Sequence, residues 1–189
     1  GVFASSLIKL FFGNSPEYSR YRSLADGFGE SDVIFIVVED SKVFSGQGWK
    51  ALHEISEEVR AHPEVRRVQS LSSAQLIESH DDDLTIESYN QVITEKDMSL
   101  RELQALAKAD PNITNSLLGR WGDVPAVVIE LTAKDDRPVE LLPGFMDELF
   151  TIFHKHGLKR EQLHVAGFVP ETIEVTAQAR YSIAAIFPV

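Results

Sequence analysis

The chain has 189 residues and no cysteine, and its 29 acidic against 18 basic side chains give a formal net charge of −11 at pH 7. That length fits one full-sized domain or two small ones, enough to bury a core without disulfide or metal staples. The missing thiols exclude cysteine nucleophiles, disulfide scaffolds and thiolate zinc sites, without choosing between a reducing cytosol and a periplasm. The negative charge argues against nucleic acid and against anionic lipid headgroups as partners.

Residues 1–31 open with apolar side chains, Val2, Phe3, Leu7, Ile8, Leu10, Phe11 and Phe12, around a single charge, Lys9. A secretory signal would show a basic start, a longer apolar core and a small-residue cleavage site. The stretch is expected to be a membrane-proximal linker. Asp32 to Glu39 then encloses a continuous β-branched and aromatic run, Val33-Ile34-Phe35-Ile36-Val37-Val38. Apolar side chains at adjacent positions predict a strand in the middle of a sheet, covered on both faces. Asp40, Ser41 and Ser45-Gly46-Gln47-Gly48 supply turn and cap residues. Trp49, Leu52, Ile55 and Val59 follow at helical spacing, with Glu54, Glu57, Glu58 and Arg60 on the other face. Pro63 stops that helix, and Val65 to Leu71 reads as a short strand, so residues 32–71 form one β-α-β unit.

Residues 72–123 are an insertion. It carries an acidic segment around Asp81-Asp82-Asp83, then a helix from Ser99, where Ser99 and Glu102 fit a capping box and Leu100, Leu103 and Leu106 form the apolar side. Asp110-Pro111-Asn112 ends the helix, and Ile113 to Leu118, the turn Gly119-Arg120-Trp121-Gly122 and the following strand predict a hairpin. Residues 124–169 repeat the first pattern. Val124 to Thr132 reads as a strand, with Pro125 near its start. Lys134-Asp135-Asp136-Arg137-Pro138 is a polar turn, and Leu142, Phe145, Met146, Leu149, Ile152 and Phe153 lie on one helical stripe with Pro143 in the first turn. Gly157 is placed as a helix stop, and Gln162 to Phe168 supplies the last strand. Residues 170–189 run from an amphipathic stretch, Glu171 to Arg180, into an apolar end, Tyr181 to Val189, half the length that spans a bilayer. They are expected to lead into a membrane helix, and apolar flanks at both ends favour a loop between two such helices.

Two β-α-β units in one chain of this size predict an α+β fold of the ferredoxin-like, split β-α-β kind. Its four strands would form one antiparallel sheet with both helices on one face, and a helix-plus-hairpin insertion between the units.

Few residues carry a chemical signal. Asp81-Asp82-Asp83 lacks the alternation and the glycine of a calcium loop, and reads as a solvated acidic segment. His154 and His156 stand two apart, which on a helix points them in different directions; their place in the last turn suits the helix dipole. His53, His62, His80 and His164 have no Cys or carboxylate at ligand spacing and receive no role. There is no Gly-x-Ser-x-Gly elbow, Gly27-Phe28-Gly29 precedes a strand, and Gly46-Gln47-Gly48 lacks the third glycine of a dinucleotide fingerprint. Trp49 and Trp121 read as core or hairpin packing. The chain is expected to be no enzyme, with no catalytic, metal-binding or cofactor-binding residue, and its substrate-lining residues stay unassigned.

One resemblance draws these parts together. Phe11-Phe12-Gly13-Asn14-Ser15-Pro16, then Tyr21, Leu24, Phe28-Gly29 and the strand Val33 to Val38, resembles the opening of the first extracytoplasmic loop of resistance–nodulation–division (RND) transporters. It is similar in particular to the lipid- and hydrophobe-exporting branch that includes the large mycobacterial membrane proteins. Pro63-Glu64-Val65, Val68-Gln69-Ser70-Leu71, the stretch Leu117 to Asp123 followed by Ala126 to Leu131, and Gly167-Phe168-Val169-Pro170 resemble later landmarks of that loop, in order. The resemblance implies a periplasmic porter-type domain of a proton-driven exporter in the bacterial inner membrane, and a hydrophobic or lipid-like substrate. Its partners would be the membrane helices and a second, similar periplasmic loop of the same parent, which is built from two repeated halves and could assemble as a homo-oligomer when intact. The acidic residues that carry protons in that family lie in membrane helices and map to nothing here. Two other functions fit the same architecture: a free-standing small-molecule sensor, and an accessory domain of a protein-export complex.

Overall fold

In the computed structural model the described residues are 33–40, 42–80, 83–114, 116–118, 124–132, 139–167, 169 and 173, with side chains omitted at 78–80, 83 and 139. The apolar run Val33–Val38 forms strand β1, and Val65–Gln69, Ala126–Leu131 and Leu163–Gly167 form β2, β5 and β6. These four make an antiparallel sheet in the order β2-β5-β1-β6. β1 is therefore central, as its unbroken apolar sequence requires. Ile34 opposes Ile129 on one side and Gly167 on the other, while Ile36 opposes Val127 and Val165. Residues two apart share a face, so Ile34, Ile36 and Val38 point into one core and are essentially inaccessible. On the other face Val33, Val128 and Glu130 are buried as well.

Helix α1, Gly46–Arg60, connects β1 to β2, and helix α5, Leu142–Lys155, connects β5 to β6. Ser45 caps α1 by accepting from the Gly48 N–H at 3.1 Å, and Trp49, Leu52, Ile55 and Val59 are buried as their spacing predicts. Along α5, Leu142, Phe145, Met146, Leu149 and Phe153 are buried, and α1 and α5 touch each other. Gly157 follows α5 at φ +88°, a left-handed conformation that a Cβ would strain, and so ends the helix as expected. The Val-x-Ser-Leu end of β2 has a packing reason: buried Ser70 Oγ lies 2.8 Å from Ser56 Oγ on α1 and 3.0 Å from Ser72 Oγ.

The insertion departs from expectation in three places. Gln75–His80 and Asp83–Ser88 pair as a separate antiparallel hairpin, β3–β4, where an acidic loop was expected; Asp81 and Asp82 lie outside the described residues. A short helix α2, Tyr89–Glu95, follows at once, opened by a Ser88–Gln91 capping box that the sequence reading passed over. Among the described residues the predicted hairpin at Ile113–Leu118 shows one bridge, Leu118 to Pro125, and Pro111–Thr114 forms a helical turn, α4. Pro111 is pre-set for a helix start and Asp110 Oδ1 accepts the Asn112 N–H at 2.8 Å, so β-branched Ile113 and Thr114 do not extend. Helix α3, Leu100–Ala109, begins with the expected Ser99–Glu102 capping box. Its buried residues are Leu103 and Ala107, whereas Leu106 is exposed. Steps of three residues fall short of a full turn by about 60° each, which carries Leu106 off the face that Leu100 and Leu103 begin.

Residues 1–31, expected to be a membrane-proximal linker, Trp121 and the turn expected around it, residues 133–138 and nearly all of 170–189 lie outside the described residues. Among the described residues no helix is long and apolar enough to cross a membrane.

Candidate functional site

The two β-α-β units meet along a seam, and the seam opens into a cleft of about 410 Å³. One wall is the exit of β1, from Val38 to Lys42, and the first turns of α1; the other is the turn that leaves α5, His156-Gly157-Leu158, with Gln162 beyond it. Local chemistry shapes each wall. The Asp40 carboxylate accepts the Lys42 N–H at 3.0 Å, and the Ser45 N–H donates to the Lys42 carbonyl at 2.8 Å, folding the exit loop over the start of α1. Gly48 lies directly beneath that loop, where a Cβ would run into the Lys42 carbonyl. The Glu39 N–H donates to the Gln162 carbonyl at 2.8 Å, which ties the exit of β1 to the entry of β6.

Behind the cleft, α1 and α5 are joined by ionic contacts. His156 Nδ1 lies 3.3 Å from a Glu54 carboxylate oxygen and its Nε2 lies 2.9 Å from Glu58, while Lys155 Nζ donates to Glu58 at 2.9 and 3.0 Å. The hydrogen bond from His156, then that from Lys155, holds the Glu58 carboxyl below the usual glutamate range. Further along the same helix pair, His62 Nε2 lies 2.8 Å from Glu148, and its ring meets the Phe145 ring edge-on at 5.0 Å. At the sheet edge His164 lies 2.6 Å from Glu39. These links are non-covalent and partly exposed to solvent.

The sequence reading found none of these partnerships. It placed His154 and His156 in the last turn of α5 for the dipole; the structure leaves His154 exposed and aims His156 at α1. His62 and His164, given no role from their neighbours in sequence, each meet a carboxylate far along the chain, and His53 lies 3.3 Å from Asn90. Trp49 is core, as expected, with its indole N–H donating to Asn90 at 3.0 Å. The available signal was the density of glutamates on the exposed side of α1 beside the His-Lys-His end of α5.

Among the described residues no cluster of three or more His, Cys, Asp or Glu side chains could hold a metal. Buried Glu130 pairs through one oxygen with the Arg66 guanidinium, and its other oxygen has no hydrogen-bond partner among the described residues. A comparison with protein-family models gives no match, and one with curated proteins likewise gives none.

Proposed function

We propose that the chain is a porter-type periplasmic domain of an RND-type exporter, lining or gating the route of a hydrophobic or lipid-like substrate without making or breaking covalent bonds. The observation that carries this reading is the sheet order β2-β5-β1-β6, whose two β-α-β units interlock and leave a cleft of about 410 Å³ at their seam. Such an order is that of a ferredoxin-like sandwich, the architecture proposed for the domain. The ordered resemblances to the first loop of that transporter family add support, Pro63-Glu64-Val65 and Val68-Gln69-Ser70-Leu71 among them.

In this reading protonation in the membrane helices of the parent reaches the domain as rigid-body movement. The β-α-β units would rock about their seam, with the Glu58–Lys155–His156 contacts making and breaking as the cleft widens and narrows. Partners are the parent's own membrane helices and second periplasmic loop. The first test is the parent reading frame: apolar spans of about 20 residues should flank the chain on both sides, and their absence would end the idea. The second is Ala51→Trp, which fills the cleft from α1. In the intact parent it should halt export of a hydrophobic substrate while the domain keeps its unfolding midpoint; undiminished export would refute a substrate route here.

The polar groups of the cleft, Asp40, Lys42 and Gln162, favour one second reading, a free-standing small-molecule sensor. It requires ligand-dependent stabilisation in a thermal-shift panel of amino acids and nucleotides.

A further inference from the structure

The turn that leaves α5 fixes a histidine between two carboxylates. Gly157 is left-handed, its N–H donates to the His154 carbonyl at 2.9 Å, and the Leu158 N–H donates to the Phe153 carbonyl at 3.1 Å. The backbone of His156 is thereby held at the helix end. Its side chain crosses to α1 and is only 13% exposed, with Nε2 2.9 Å from Glu58 and Nδ1 3.3 Å from Glu54. An ionised carboxylate accepts hydrogen bonds and donates none, so each ring nitrogen must carry a hydrogen. A bare nitrogen on either side would set lone pair against lone pair. The two contacts together therefore require the imidazolium. His62, on the same helix pair, needs no charge: its Nδ1 accepts the Glu64 N–H at 3.2 Å and its Nε2 lies 2.8 Å from Glu148. A neutral ring with its proton on Nε2 completes both of those bonds.

The neighbouring charges do not replace the ring. Lys50 reaches Glu54 at 3.7 Å, but both stand on α1, so that pair holds nothing to α5. Lys155 holds Glu58, and Asp40 and Lys42 line the facing wall of the cleft. A neutral His156 keeps a hydrogen for one carboxylate only. Glu54 and Glu58, like charges four residues apart on α1, then face each other with one cation fewer. We propose that His156 is a proton-operated latch on the cleft: its imidazolium draws the end of α5 onto α1 through Glu54 and Glu58, and its deprotonation frees the wall formed by residues 156–158. Histidine changes charge between about pH 5 and 8. The latch is closed where the carboxylates are ionised and the ring is protonated, and it is lost as pH rises through the titration of the ring. As control of a substrate route it rests on the transport reading; as a latch within this chain it does not.

The experiment uses the chain itself, with its histidine rings labelled with nitrogen-15. At about pH 6, NMR should find a hydrogen on both ring nitrogens of His156. Amide exchange in residues 152–158, corrected for the intrinsic effect of pH, reports whether the turn is held. Protection there should fall at least about threefold from pH 6 to pH 8, the scale of one partly exposed ion pair. His156→Gln should abolish that fall, because its amide does not titrate. Glu58→Gln should abolish it too, since an amide can donate to the neutral ring and leave the other nitrogen's hydrogen for Glu54. His62→Gln should keep it. Circular dichroism checks the fold of each variant, and the two measurements on the native chain decide the matter even if a variant unfolds. A bare His156 nitrogen at pH 6 with the turn protected, no fall by pH 8, or a fall retained in His156→Gln would overturn the latch. Export is not read in any of these measurements, so the latch and the transport reading fail separately.

Discussion

The main sheet with α1 and α5, and the insertion from β3 to α4, are built from similar residues and held in different ways. In the first, Ile34, Ile36, Ile129, Leu52, Ile55, Leu149 and Phe153 are all but inaccessible, and the helices face each other across ionic contacts. In the second, Ile77, Leu84, Ile86 and Leu106 lie open, and the short helices rest on capping boxes and a few anchors such as Tyr89, Val92 and Leu103. The contrast separates a part of the chain that buries its aliphatic side chains from a part that presents several of them to solvent.

The sharpest way to break the contrast is to shorten one leucine in each region. Leu149→Ala should cost about 2–5 kcal/mol in urea unfolding, because a cavity is left in a packed core. Leu84→Ala should stay within about 0.5 kcal/mol, since that side chain is already largely in water. Comparable losses would mean the hairpin face is covered in the isolated chain. A smaller effect is expected where the sheet buries a charge. Arg66→Ala removes the ion-pair partner of the Glu130 carboxylate, and should cost about 1–3 kcal/mol, discounted because Arg66 itself is mostly exposed. Glu130→Leu, which removes the buried charge altogether, should be neutral or stabilising, and a large loss there would show that the unpaired oxygen has a partner.

In the insertion, Ser99→Ala removes the cap of α3 and should cost about 1 kcal/mol, read most directly as faster amide exchange in the first turn of that helix. Smallest is the acid response of the seam. Glu58 is depressed by His156 and Lys155, so its contribution is full above the ordinary glutamate range and is lost as pH falls through the lower folded value. Stability of the native chain should therefore fall more steeply on acidification than that of Glu58→Gln. The gap should shrink at 1 M salt, where exposed charges are screened. Identical acid profiles would remove the seam contact from solution.

How much of this was legible depends on the range of the interaction. The strand at Val33–Val38, the helical stripes of α1 and α5, the stop at Gly157 and the Ser99–Glu102 cap were readable because each is a pattern within one or two turns of chain. The hairpin β3–β4 was hidden because Ile77, Leu84 and Ile86 stay in water and only Leu76 packs on the core, so the usual pressure for a clean buried face is absent. The strand expected at Ile113 failed because a local Asp-Pro start outweighed β-branched propensity. The seam cluster was out of reach altogether: nothing near His156 in sequence points to Glu58, 98 positions away.

By itself, then, the sequence determined the elements of the sheet and its two long helices, their alternation, and the acidic, thiol-free surface chemistry, since periodicity, caps and charge are properties of neighbouring residues. The tertiary structure alone decided the strand order, the cleft between the units, the carboxylate each histidine meets, and which aliphatic side chains remain in water. Those depend on how distant segments pack, and packing is a property of the whole chain.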